Sequence, residues 1–237
     1  MCVGHTMVSV GRGRDGIVAP VTSPPEVWTI VVAGGSARRY GAAKQFERLG
    51  DTTVLGLACR AAATVSAGVV VVVPAAVTLG DDPPDLGGVT AEVVPGGDTR
   101  AASVRSGLAA VPHTAAIVLV HDGARPLASP ALFERVVAAV IAGADAVVPT
   151  LAVVDTLRWR SGGSPSRDDL LRVQTPQGFR ADALREAHRS GGEATDDASL
   201  VEATGRPVVV VEGEESNLKI TTPRDLRVAA ALMGAAA

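Results

Sequence analysis

Apolar residues fall in short runs separated by polar stretches with helical spacing. Trp28 to Ala33 is a β-branched run that breaks into Gly34-Gly35-Ser36, and it predicts a buried strand. Val69 to Val73 are consecutive valines stopping at Pro74. A run that is apolar on both faces predicts a central strand of a parallel sheet covered from both sides. Ala91 to Val94, Ala116 to Val120 and Ala146 to Pro149 predict further strands. Between them lie helical patterns. Thr53 is placed to cap a helix through Val65 that turns Val54, Leu55, Ala58, Ala61 and Ala62 inward. Ala101 to Val111 continues as a helix, and Pro130 opens one to about Ala142. This alternation predicts an α/β fold with a Rossmann-like doubly wound, mostly parallel sheet. Such sheets bind ligands outside the carboxyl ends of their strands.

Beyond Val154 the pattern changes. Thr156 to Arg160 and Leu170 to Gln174 read as strands flanking Ser161 to Ser166, which predicts a protruding β-arm over about 154–175. Such an arm lies over the active site or reaches a second subunit. Arg180 to Ser190 and Asp197 to Ala203 read as helices, Val208 to Val211 as a strand and Pro223 to Met233 as a closing helix. Residues 1 to about 26 have no periodicity and end in Ser23-Pro24-Pro25, so they read as a mobile leader before a single domain over 27–237.

Composition narrows the class. A chain of 237 residues can bury a sizeable core, and with only 3% aromatics that core must be small and β-branched. A net charge of -3 gives no general reason to bind nucleic acid or an anionic membrane, so phosphate affinity must come from local clusters. Cys2 and Cys59 are far apart and outside any metal-ligand spacing, which fits a reducing cytoplasm. No apolar run approaches the ~18 residues of a membrane helix. Arg12, Arg14 and Asp15 stand where a secretory signal needs its apolar segment.

The polar clusters fall at the predicted strand ends. Gly34-Gly35-Ser36 leaves backbone N–H groups open to form an anion nest, and Arg38, Arg39 and Lys44 follow. The spacing is neither a P-loop nor a dinucleotide fingerprint. Gly96-Gly97-Asp98 precedes a helix N-terminus, with Asp98 and Ser103 able to meet a base or ribose, or with Asp98 only a cap. Asp122 follows a buried strand. Arg125 can anchor phosphate or close the loop on Asp122, and His121 reads as structural. Thr195 reads as a helix cap, and Lys219, in an apolar strand, needs an anion to offset its desolvation.

Together these pieces resemble the 2-C-methyl-D-erythritol 4-phosphate cytidylyltransferases. They run in that family's order: Ala33-Gly34-Gly35-Ser36 with Arg39 and Lys44-Gln45-Phe46, Gly96-Gly97-Asp98 with Arg100 and Ser103, His121 to Pro126, Asp155-Thr156, Gln174 to Gln177, Thr195 to Ser199, and Asn217 to Thr221. The resemblance implies that Ala33, Gly34, Gly35, Ser36, Gly97, Asp98 and Ser103 hold CTP. It implies that Arg39 and Lys44 stabilise charge at the α-phosphate. Asp122, Arg125, Thr156, Thr175 and Thr195 would line the methylerythritol phosphate site, with Arg167 and Lys219 aiming its phosphate. Mg²⁺ bound mainly through the CTP phosphates and a homodimer joined through the arm are implied as well. Ala37 departs from the family pattern, where a second glycine usually follows the serine. Two alternatives stand beside this: cytidylyl transfer to ribitol 5-phosphate, and a catalytically silent nucleotide-binding homologue.

Overall fold

The computed structural model describes residues 24–34, 44–75, 77 and 86–235. The strands are β1 (Val27–Val32), β2 (Arg48–Leu49), β3 (Thr52–Thr53), β4 (Gly68–Val73), β5 (Thr90–Pro95), β6 (Ile117–Asp122), β7 (Ala146–Ala152), β8 (Leu171–Val173), β9 (Gln177–Arg180) and β10 (Val208–Glu212). The helices are α1 (Val54–Ala63), α2 (Arg100–Ala110), α3 (Pro130–Ile141), α4 (Ala181–Arg189), α5 (Asp197–Glu202) and α6 (Pro223–Ala235). Lys44–Phe46 and Arg167–Asp169 are single 3-10 turns.

One eight-stranded sheet runs β10-β7-β9-β6-β1-β4-β5, with β8 paired to β7. The valine run forms β4, buried along its whole length and parallel to β1 on one side and β5 on the other. Its side chains alternate between two cores. Val70 and Val72 share one core with Val104 and Leu108 of α2 and Leu184 of α4, while Val69, Val71 and Val73 share the other with Leu55 and Cys59 of α1 and Phe133 of α3. Each covered side chain of this size contributes roughly 1.5–3 kcal/mol. Burial lifts the Cys59 thiol to about 12, so it packs as an inert apolar group.

Helix starts follow local chemistry. Thr53 caps α1 by accepting from the Gly56 N–H, and Ser129 caps α3 ahead of Pro130. A third core, around Leu49, Val54, Ile220 and Ala229, fixes α6 against the β2–β3 hairpin.

The structure departs from the sequence reading in three places. Gln177–Arg180 is a strand, antiparallel to both β6 and β7. Its short Gln-Gly-Phe-Arg run has no β-branched residue to mark it, and burial between two strands decides the matter instead. Thr156 to Arg160 is not a strand. Only Leu171–Val173 pairs, with the end of β7, and the segment between is irregular and exposed, turning at Trp159–Gly163. The segment around Lys219 is also not a strand; it is an extended connection held by Ile220 N–H donating to the Ala124 carbonyl. The leader lies outside the described residues up to Ser23.

Candidate active site

A cavity of about 530 Å³ opens at the carboxyl edge of the sheet. Ala33 and Gly34 at the end of β1, Pro74 after β4, Asp98, Thr99, Arg100 and Ser103 after β5, and Asp122 ending β6 all face it, with Lys44 and Lys219. A parallel sheet gathers these loops at one edge because its strands all leave the core on that side.

The wall at the end of β6 is built from interlocked polar groups. Lys219 Nζ lies 2.7 Å from Asp122 Oδ2, and Arg125 Nε lies 3.6 Å from the same oxygen. Burial works against ionising Asp122, but the charges of Lys219, Arg100 and Arg125 outweigh it and hold the carboxyl near 2. The anion that offsets Lys219 is therefore Asp122 itself. Arg125 donates to the Asn217 carbonyl at 2.7 Å and to that of Val173 at 3.4 Å, and it does not line the cavity. It closes the wall from behind.

His121 is fully buried, and burial pushes its ring down to about 4. The Arg125 carbonyl, 3.1 Å from Nε2, can only accept, so Nε2 carries the hydrogen. Nδ1 then accepts from the Thr175 hydroxyl, whose oxygen accepts the Asp122 N–H at 2.9 Å. Thr175 thus orients the end of β6 from the adjoining segment. Gln174 donates to the Glu214 carbonyl and accepts from its N–H, while Asn217 donates to the Thr175 carbonyl. These bonds fix the turn that delivers Lys219.

The opposite wall is mostly backbone and small side chains. Thr99, not Asp98, caps α2 by accepting from the Ala102 N–H. Asp98 is therefore not consumed by capping and stays exposed on the cavity wall. Ser103 donates to the Thr99 carbonyl at 2.9 Å. A Cβ on Gly96 would come 2.8 Å from the Ser103 hydroxyl and would force a shift, and one on Gly34 would sit tightly at 3.3 Å from it, so glycine eases the approach of both loops. Gln45, buried, donates to the Ala33 carbonyl at 2.7 Å and pins the turn carrying Lys44 to the end of β1. Arg100, at the start of α2, adds a third cation to the cavity and forms an ion pair with Asp197 at 2.6 Å.

Residues 27–235 match the family model of 2-C-methyl-D-erythritol 4-phosphate cytidylyltransferase. The chain belongs to this family. It is 45% identical over 221 residues to the 2-C-methyl-D-erythritol 4-phosphate cytidylyltransferase of Nocardia farcinica, covering 87% of this chain and 94% of that one. It is 44% identical over 224 residues to the bifunctional enzyme IspD/IspF of Dinoroseobacter shibae, covering 88% of this chain but only 54% of that relative. The chain thus spans about half the length of the bifunctional relatives it matches. The crystal structure of the Thermus thermophilus 2-C-methyl-D-erythritol 4-phosphate cytidylyltransferase is 40% identical and superposes with a TM-score of 0.73, covering 86% of this chain and 98% of that one.

Set against the cytidylyltransferase pattern, the structure brings Ala33, Gly34, Lys44, Asp98, Ser103, Asp122 and Lys219 to one cavity. Gly97 makes the turn into α2 beside it, its missing Cβ leaving room for Ala102. Gly35, Ser36 and Arg39 lie outside the described residues. Thr156 and Arg167 are exposed on the arm, where Arg167 donates to the Val154 carbonyl, and neither lines this cavity within one chain. Thr195 is exposed, and the cap of α5 is Asp196, whose carboxylate accepts from both the N–H and the hydroxyl of Ser199. Gln45 and Arg100 acquire places that their motifs contained but did not assign. A lone Gln after a Lys or an Arg at a helix start looks like any solvated polar residue until its partner is seen.

Proposed function

We propose that this chain joins CTP and 2-C-methyl-D-erythritol 4-phosphate to give 4-diphosphocytidyl-2-C-methyl-D-erythritol and pyrophosphate, in non-mevalonate isoprenoid synthesis. The observation that carries this reading is the convergence of Lys44, Arg100 and Lys219 on a cavity with a glycine-lined backbone wall. Two anions must meet there, so repulsion is the first obstacle. The acceptor phosphate oxygen attacks the α-phosphorus of CTP, and the bond to the β-phosphate breaks as the new P–O bond forms. An ionised phosphate needs no general base, which suits a His121 held neutral and spent on structure.

In this reading Gly34, Gly97, Asp98 and Ser103 form the nucleotide wall, and Lys44 with Arg39 stabilises charge at the α-phosphate. Fixed donors of this kind need little reorganisation as charge develops. Asp122 and Lys219 hold the acceptor, with Arg125 and Thr175 keeping them in place, and binding both substrates in line supplies much of the remaining rate. The cavity's carboxylates are Asp98 and an Asp122 already paired to Lys219. Such a donor set fits Mg²⁺ held mainly by phosphate oxygens and water, with Asp98 the side chain open to it. When bound, the ion neutralises triphosphate charge.

The arm supports a homodimer with shared sites. It exposes Val154, Trp159 and Leu171, and covering such a patch calls for another surface. On this reading Arg167 and Thr156 reach the partner's acceptor site. Among the described residues no helix is long and apolar enough to cross a membrane, and the reading places the protein in the cytoplasm. The test is pyrophosphate release from CTP with methylerythritol phosphate and, separately, with ribitol 5-phosphate. Release with the first is expected. Faster release with the second assigns the other acceptor, and none with either despite CTP binding marks a silent homologue.

A further inference from the structure

Behind the cavity, a carboxylate with no solvent exposure faces Arg100. Asp197, the first residue of α5, has 0% side-chain exposure, and its Oδ2 lies 2.6 Å from Arg100 Nη1. Its Oδ1 lies 3.0 Å from Nε2 of His188, which comes from α4 and is itself 3% exposed. A carboxylate oxygen accepts, so Nε2 is the donor, and Nδ1 is left buried without a partner. Along this row side-chain exposure is 26% at Arg100, 0% at Asp197 and 3% at His188. The cavity is the open end of that row.

Holding the helices together does not account for this charge. Ala183, Leu184 and Ala187 of α4 and Ala198, Leu200 and Val201 of α5 already share an apolar core. The α5 N-terminus is capped by Asp196, which also accepts from Gln177, and Gln177 accepts in turn from the Ala198 N–H. Buried ion pairs are often no more stabilising than apolar residues of the same size. What Asp197 supplies beyond stability is the direction of a guanidinium. Asp197 Oδ2 is ion-paired with Nη1, and the residue that carries this five-donor fork lines the cavity. Arg100 lines the same cavity as Asp122 and Lys219, and Asp122 is among the charges that act on it.

We propose that Asp197 and His188 are positioning residues that hold Arg100 against the acceptor phosphate, in the cavity it shares with Asp122 and Lys219. The proposal rests on the cytidylyl-transfer reading and adds to its acceptor wall. Steady-state kinetics in both substrates tests it. Asp197→Asn is expected to raise the acceptor KM about tenfold, the size of one charged hydrogen bond, while the CTP KM stays within about twofold. His188→Leu should shift the acceptor KM in the same direction by a smaller factor, and His188→Gln, which keeps a side-chain N–H, should restore it. A lower melting temperature with both KM values unchanged, or an equal rise in both, overturns the proposal.

If the unaltered chain releases no pyrophosphate, the functional reading fails. The tether is then decided by the crystal structure of Asp197→Asn. A guanidinium displaced from its present place supports the tether, and an unmoved one refutes it.

Discussion

The wall at the end of β6 and the arm after β7 were expected to serve the same ligand, yet they are built in opposite ways. In the wall, Asp122, His121, Thr175, Arg125 and Lys219 are tied to one another and to the 214–217 turn through short contacts within one chain. In the arm, Val154 is 68% exposed and Trp159 59%, and Arg167 reaches only the Val154 carbonyl. A side chain whose neighbours fix it is preorganised for ligand before ligand arrives. An exposed apolar segment gains its order from whatever covers it. The contrast separates a wall that one chain holds in place by itself from an arm that it leaves exposed.

The largest effect separating the two regions belongs to Lys219. Lys219→Ala should lower kcat/KM by about 10²–10³, as loss of one aimed donor does in comparable sites, and should lower the melting temperature as well, because Asp122 loses its nearest partner charge. Steady-state rates beside a thermal melt check this. A small kinetic effect would make the wall a scaffold only.

The wall should also carry a pH signature that the arm lacks. His121 titrates near 4 in the folded chain and near 6.5 when unfolded. Between those values the unfolded chain takes up a proton that the folded ring refuses. Stability is therefore complete above pH 6.5 and falls as pH drops toward 4, by about 3 kcal/mol. Asp122 acts in a separate window, losing its contribution as pH falls from 3.8 toward about 2. Chemical denaturation across pH 4 to 7 should show the first slope, and His121→Asn should flatten it.

Thr175→Val removes the acceptor of the Asp122 N–H and the donor to His121 at once, and should cost about 1–3 kcal/mol. Equilibrium unfolding measures it. The smallest intrachain effect belongs to the arm. Trp159→Ser should change monomer stability by less than about 0.5 kcal/mol while weakening self-association, read by sedimentation at several concentrations. A large loss of monomer stability would mean that the arm packs on its own chain.

The same contrast explains what the sequence could disclose. Val69 to Val73 declares a covered strand because every residue is apolar, and the parallel sheet places its loops at one edge without further information. Asp122 follows from that edge, whereas Lys219 was expected in a strand and instead reaches the cavity from an extended connection. Gln177–Arg180 was hidden because its strand character comes from lying between β6 and β7, not from its own residues. The roles of Thr175, Gln45 and Asp197 depend on partners 12 to 97 positions away in the chain, such as the Ala33 carbonyl for Gln45 and Arg100 for Asp197. Spacing along the chain cannot report such contacts. The cap at Asp196 in place of Thr195 turns on which neighbouring oxygen reaches the Ser199 N–H, a choice that backbone direction makes.

Mixed dimers put the division between wall and arm to its most direct test. Co-expressing Lys44→Ala chains with Arg167→Ala chains gives hybrids in which one site combines an intact Lys44 with an intact Arg167 from the partner, if the arm crosses over. With random pairing, activity at subsaturating acceptor should return to about a quarter of that of the unaltered dimer, well above either variant alone. Activity no higher than the average of the two separate variants would contradict the account, because each site would then be completed by its own arm.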